Sequence, residues 1–471
     1  MIPPFLSLLG ALFVAAKPPV SDGPVWTQIG TRSEPKTAEV RLELVARFQS
    51  MMSKPVKASD HYEPHINSPK SAHFLPDGSK LYIESLEGGH TVVIDVPTWT
   101  RKTSIEHEFS DADSSRFSGT EVFDYSFGKR TNVNVFRGKP VESALSHDGK
   151  YLWVTYYRRS FDANAQLPSA VALIDTRTDS IVRVFPTGPL PKMIASSPDG
   201  KWLAVTHWGD NTVAVMDISA STPDSFRYVK HLVAGTRAKL EFDENSKVDR
   251  DNNCGNCLRG TVFTPDSKTL LVGRMGGSGG ISAWSTGDWT FLGNATGMRE
   301  NVRHIVIKQN TLFLSENQPG VVQKLPLDAF LSALRAGDSS QSVPVAGWKS
   351  ASVGYGARTI SVDDSAKYLY AAVNGKSEIK VVRIRDMAVV ATIQADSYPV
   401  GMDLSPDGKW LVVTAQGHTD GGGNSVMIYR VEGGPKVPLI APVADTVGKQ
   451  VVPAADTGKK AVEPVVRPSL F

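Results

Sequence analysis

The chain has only two cysteines in 471 residues, Cys254 and Cys257, set as Cys-x-x-Cys. That excludes a scaffold held by several disulfides and any metal site built from four thiolates. An excess of one charge is missing too: 51 basic residues face 48 acidic ones, a formal net charge of +3. No overall bias toward polyanions follows, and no nucleic-acid partner is expected. No apolar run reaches the roughly 20 residues of a membrane-spanning helix, so no transmembrane span is expected in the mature chain. The run from Phe5 to Ala16 has the length of a signal-peptide core, and "FVAAK" places small residues for cleavage after Ala16. No Lys or Arg precedes it, so the competing reading of residues 1–16 is an apolar segment that is retained and packs on the domain. Export to the periplasm or cell surface is the expectation. The glycine-rich stretches "RMGGSGG" and "DGGGNS" fit neither a phosphate-binding loop nor a dinucleotide fingerprint.

What the chain has is turns and a repeat. Gly 40 and Pro 30 are high, while 41% hydrophobic and 21% charged residues are ordinary for a globular protein. One phrase recurs: an alternating apolar run, Pro-Asp-Gly-Lys or a worn version, and a second apolar run. It reads "SAHFLPDGSKLYI" from Ser71, "SALSHDGKYLWVT" from Ser143, "MIASSPDGKWLAVT" from Met193 and "GTVFTPDSKTLLVG" from Gly260. Degenerate copies are "HIVIKQNTLFLS" from His304 and "TISVDDSAKYLYAAV" from Thr359; "GMDLSPDGKWLVVT" from Gly401 is the seventh. Each is two period-2 strands around a tight turn. A third strand follows most copies, such as "NTVAVMDI" from Asn211, and a fourth often follows that. Four antiparallel strands repeated seven times describe an all-β, seven-bladed β-propeller.

The phrase resembles the YVTN-type β-propeller repeats of surface-layer, YncE-like and lactonase-like proteins, over residues 68–431. The resemblance implies the fold and leaves function open, because the architecture hosts binding proteins and enzymes alike. Residues 17–67 form an N-terminal extension. Within it, Val40, Leu44, Val45, Phe48 and Met52 have helical spacing, which predicts a short helix from Thr37. The stretch "GPVWTQIG" from Gly23 is the candidate for a strand that closes the ring. Residues 432–471 are rich in Pro, Ala and Val and read as an extended tail or tether.

In such a blade the first turn lies on one face, and the connections into the first strand and out of the second lie on the other. The turns here are monotonous. The other face is elaborated, by Glu106–Arg137, by "YYRRSFDANAQLPSA" from Tyr156, by "LEFDENSKVDRDNN" from Leu240 and by "AQGHTDGGGNS" from Ala415. Binding sites favour variable loops on a rigid scaffold. The mouths of the seven first strands carry Lys70, Glu142, Lys192, Arg259, Arg303, Arg358 and Val400, so five of seven positions are cationic. Repeat symmetry gathers them around the central channel. The second-strand ends add Tyr156, His207, Arg274, Glu316, Asn374 and Gln416, and His304 lies beside Arg303. Arg forks suit a carboxylate or phosphate. The competing role is structural, with the cations bridged to Glu142, Glu316 and loop acids.

Other features are weaker. His61, His65 and His73 lie near Asp60 and Glu63, but Pro64 argues against the helix that would align them on a metal, and neither a metal nor a cofactor is expected. Trp153, Trp202 and Trp410 recur at one place and read as blade packing; Tyr157 and Trp208 escape that pattern and suit stacking on a sugar or other ring. "CGNCLRG" from Cys254 allows haem, a metal knuckle, a redox pair or a short disulfide. Haem attachment wants His where Leu258 stands, zinc wants four ligands, and a redox pair wants a helix start. In an exported chain a Cys254–Cys257 disulfide that fixes the backbone presenting Arg259 is the preferred reading. The leading function is a non-enzymatic binding or scaffold propeller engaging a partner protein or envelope assembly, a glycan or an anionic small ligand. The alternative is a lactonase-like hydrolase. There Arg259, Arg303 and Arg358 would hold an anionic substrate, with Glu142 or Glu316 as general base and His207 or His304 assisting. A redox or cofactor-maturation role is a third.

Overall fold

In the Pro-Asp-Gly-Lys turns the aspartate carboxylate accepts an amide N–H two residues on. Asp77 takes that of Ser79 at 2.9 Å, Asp199 that of Lys201 at 3.1 Å and Asp407 that of Lys409 at 3.0 Å. The next residue, Gly78, Gly200 or Gly408, has φ near +70°, which glycine adopts without strain. In the degenerate fifth copy Gln309 and Asn310 hold the same hairpin with φ of 45° and 53°. The computed structural model describes residues 24–417 and 422–437. The signal-peptide reading of residues 1–16, and all but the first residues of the tail, lie outside the described residues. Among the described residues no helix is long and apolar enough to cross a membrane.

The seven hairpins begin seven sheets, whose innermost strands are Pro69–Phe74, Phe136–Ser146, Pro191–Ser196, Leu258–Phe263, Val302–Lys308, Ala357–Val362 and Pro399–Leu404. From each innermost strand the next two strands, and in six of the sheets a third, follow outward in chain order and antiparallel, which gives a seven-bladed β-propeller. In the fifth blade the fourth strand, Lys349–Ser352, is delayed by a helix, Leu327–Ala336, that buries Leu327, Phe330, Leu331 and Leu334. Apolar clusters fill the spaces between neighbouring sheets. Trp153 is fully buried there, while Trp202 meets Trp289 and Trp410 meets Trp99 edge to face, so the three tryptophans pack blades as expected.

The N-terminal extension departs from expectation. The helix expected from Thr37 is a β-strand, Arg41–Gln49, antiparallel to Ser425–Glu432 of the last blade. Leu42, Leu44, Ala46 and Phe48 alternate along it and are all at most 5% exposed. Leu44 and Phe48 belong to both periods, so the sequence fits a helix and a strand alike. The unpaired edge of the seventh blade decides between them, since a strand satisfies its backbone groups. The ring is therefore closed by this strand and not by "GPVWTQIG". That stretch runs beside it irregularly, with Val25 bonded to Ser397 and Thr27 to Asp396.

Closure is fastened by Arg47, which is 2% exposed. Its guanidinium donates to Asp60 at 2.5 Å, to Asp396 at 3.3 Å and to the Thr27 carbonyl at 2.9 Å, and lies 3.6 Å from the centre of the Trp26 ring. Removing one partner of a buried ion cluster leaves the others uncompensated. Arg47→Ala is expected to cost about 3–5 kcal/mol of unfolding free energy. Urea unfolding tests this, and a loss below about 1 kcal/mol would show that the clasp does not hold the ring.

Candidate functional site

Pairing between the first and second strands slips by one residue at the same place in every blade. The slips fall between Pro69 and Ala72, Pro140 and Glu142, Pro191 and Met193, Leu258 and Thr261, Val302 and His304, Ala357 and Ile360, and Pro399 and Gly401. Each is a β-bulge, and a bulge re-aims a side chain and sharpens the local twist. The residues at the bulge are Lys70, Val141, Lys192, Arg259, Arg303, Arg358 and Val400. Five of the seven are the expected cations. Glu142 is a correction: counted back from the turn, Val141 holds the equivalent place and Glu142 lies one residue further in.

The cations converge. Arg259 of the fourth blade donates to Glu142 of the second at 2.5 Å and to the Lys192 carbonyl at 3.2 Å. Lys192 donates to Asp251 at 2.8 Å and lies 4.2 Å and 4.8 Å from the ring centres of Tyr157 and Trp208. Those two aromatics, expected to stack on a ligand, thus wall in a lysine. Lys70 donates to the Gln416 side-chain oxygen, Arg303 to the Met275 sulfur at 3.3 Å, and Arg358 lies 5.2 Å from the Tyr398 ring. Among the described residues, Lys70, Arg303 and Arg358 pair with no carboxylate. Five cations share the mouth with two acids, Glu142 and Asp251.

Their titration reflects this crowding. Burial, then repulsion from Arg358, Lys192, Arg259 and Arg303, holds the Lys70 ammonium well below the usual lysine range. Burial pushes Lys192 down to about 7, against the pull of Asp251. Burial and the adjacent Arg358 and Arg259 likewise oppose the charge of Arg303. Guanidinium groups stay protonated in proteins, so the repulsion is borne rather than discharged. His304 is driven to about 3 by burial and by Arg259, and is neutral.

Asp251 reaches the mouth because three loops interlock. Arg130 bridges to Glu244 at 2.6 Å, Arg237 to Asp124 at 2.5 Å, and the Gln166 side chain donates to the Val248 carbonyl at 2.6 Å. The Arg250 amide donates to the Asn164 carbonyl at 3.0 Å, and the Tyr157 hydroxyl and Trp208 indole fix Asp251 itself. The disulfide Cys254–Cys257 is formed. Its ring supports the next loop, where the Met275 and Gly276 amides bond the Cys257 and Asn256 carbonyls at 3.2 Å and 2.9 Å, placing Met275 under Arg303.

The second-strand ends do not join the mouth, apart from Gln416. His207 accepts the Gly188 amide at 3.1 Å on Nε2, and its Nδ1 bonds Thr212 at 2.7 Å within a buried network that includes Asp210 and Tyr125. Tyr156 is core. Arg274 turns to Asn256 of the disulfide ring at 2.6 Å, and Asn374 is buried at its own turn. Glu316 is fully buried with neither carboxyl oxygen bonded. The three histidines near residue 65 separate: His61 stacks on Phe48, His65 bonds Glu63 at 2.8 Å, and His73 faces Asp403 at 3.8 Å.

Directly beneath the cations lies a cavity of ≈ 390 Å³. Its wall begins one residue below them, with Ser71, Glu142, Met193, His304, Thr359 and Gly401. It continues to the turn face, where Pro435 and Val437 line it.

No family model matches the chain. A curated relative, Antigen Lp49 of Leptospira interrogans serogroup Icterohaemorrhagiae serovar copenhageni (strain Fiocruz L1-130), is 32% identical over 104 residues. That match spans 21% of this chain and 23% of the relative's length. Among solved structures, a chain of the Kuenenia stuttgartiensis hydrazine synthase superposes with a TM-score of 0.53 at 17% identity, covering 80% of this chain and 99% of that one. The β-propeller domain of Cps50 (Swd1) from Myceliophteria thermophila gives 0.53 at 12% identity, over 78% and 97%. These likenesses establish the fold alone.

Glu316 yields a prediction with a definite sign. Burial raises its carboxyl well above 4.5, with Arg299 opposing, so the folded chain holds the proton more tightly than the unfolded one. Wild-type stability must then fall as pH rises beyond that ordinary value. Glu316→Gln removes the loss: a variant about 1–3 kcal/mol more stable at pH 8, converging with wild type near pH 4.5, is expected in denaturant titrations. A variant less stable at pH 8 would contradict the buried neutral acid.

Proposed function

We propose that the protein is an exported binding propeller whose basic channel mouth holds an anionic group, carried by a small ligand or presented by a partner. The observation that carries this is the imbalance at the mouth, where Lys70, Arg303 and Arg358 have no carboxylate partner among the described residues. The lysines can relieve repulsion by releasing a proton, but Arg303 and Arg358 keep theirs and their aromatic and thioether neighbours bring no charge, so an anion is what offsets them. The disulfide supports an oxidising compartment, and the antigen name of a relative matching about a fifth of the chain points the same way.

The hydrolase reading finds less support. General acid–base work wants groups that titrate near neutrality within reach of each other. Glu142 is taken up by Arg259, His304 is neutral and weakly basic, and His207 and Glu316 lie away from the channel.

Calorimetric titration with inorganic phosphate and with citrate tests the proposal. Saturable binding that weakens with added salt is expected, at least about tenfold weaker in Arg303→Gln/Arg358→Gln. Equal binding by wild type and double variant, or none by wild type, overturns it. Lys192 adds a pH signature. It is charged below about 7 and loses its proton above, so affinity for phosphate's dianion analogue sulfate should fall as pH rises from 6 to 8. Lys192→Gln should flatten that profile.

A further inference from the structure

The cavity and the cation ring form one continuous site. The residue after each mouth cation, Ser71, Met193, His304 or Thr359, is already cavity wall. An anion seated in the ring therefore has the remainder of its molecule either above the face or in the channel. A volume of ≈ 390 Å³ lies in the range of small-molecule sites and is far too small for a folded partner.

The charged groups of the wall are already engaged. Glu142 belongs to Arg259 at 2.5 Å, and Asp364 to Lys308 at 2.6 Å near the lower end. Asp403 accepts the amides of Phe74 and Leu404 at 2.9 Å and 3.0 Å and faces His73. Asp363 is used by the amides of its own turn. An anionic group entering the channel would lose its hydration and find no free cation, since the one lining lysine, Lys308, is held by Asp364. What remains to meet a ligand is neutral: hydroxyls of Ser71, Ser143, Thr261 and Thr359, and the apolar Met193 and Ile360.

We infer that the mouth takes a small organic ligand with one anionic group, bound head first, its carboxylate or phosphate in the cation ring and its uncharged body filling the channel below. This rests on the anion reading of the mouth and adds the ligand's shape, polarity and direction. The head explains the surplus cations. The uncharged body suits a channel whose rim is cationic and whose wall has no cation free to pair with a second anionic group.

A calorimetric series on the full chain tests it, using acetate, hexanoate, gluconate and adipate beside inorganic phosphate. Burying a methylene should raise affinity about fourfold. Hexanoate, or gluconate if the hydroxyls are the partners, should therefore exceed acetate by at least about tenfold. Adipate should fall below hexanoate, because its second carboxylate enters a wall that offers carboxylates and no free cation. Ala195 borders the cavity and is only half-buried, so Ala195→Phe should fill the space and bring the hexanoate-to-acetate ratio down toward one. Ala144→Phe does the same from another blade if the first variant fails to fold. Equal binding of acetate, hexanoate and gluconate overturns the head-first pose and leaves the anion-binding mouth standing. No binding of any member, phosphate included, takes both away. Adipate binding as tightly as hexanoate also overturns the pose.

Discussion

One extra residue per inner strand governs the central channel. Without the bulge, a strand's alternation would send each mouth residue into the packed space between blades, where burying a lysine or arginine is costly. The bulge breaks the alternation once and turns that residue toward the axis. Sevenfold repetition does the rest. A single position in the repeat becomes a ring, and a preference for Lys or Arg at that position becomes a concentration of like charge in a nearly neutral chain. The ring tolerates this because Lys70, Arg303 and Arg358 are only half-buried, and because Glu142 and Asp251 quiet the other two members.

The rest of the molecule keeps that arrangement rigid. Arg47 draws the two ends of the described chain into one blade, so the ring cannot spring open at its weakest edge. The interlocked loops between residues 107 and 257 deliver Asp251 to a lysine 59 positions away in sequence. The disulfide does not face the channel itself. It stiffens the turn that leads into Arg259 and carries the loop whose Met275 lies against Arg303. Mouth, loops and thiol bridge are parts of one support.

The blades were legible because their signal is local and repeated. An aspartate that bonds an amide two residues on, and a glycine with φ near +70°, need nothing but the turn itself. The cation ring was legible for the same reason, since repeat alignment locates equivalent positions without knowing the fold in detail. What was missed depends on contacts distant in the chain. The closing strand at 41–49 fits two periods, and only the open edge of the seventh blade selects one. A one-residue offset in the second copy is invisible without strand register, so repeat alignment alone puts Glu142 at the mouth where Val141 stands. His207 and Glu316 end their strands at the level of the mouth, yet strand alternation turns them into the wall between blades. Asp251 lies outside every repeat, and nothing in "VDRDNN" singles it out from its acidic neighbours.

The central claim is that the mouth carries more positive charge than its own acids neutralise. Anomalous diffraction from crystals grown with selenate tests it most directly. The account predicts a selenium peak on the propeller axis within hydrogen-bond reach of Lys70, Arg303 and Arg358. A mouth without selenium in well-ordered crystals, with each of those three side chains paired to a carboxylate, would contradict it.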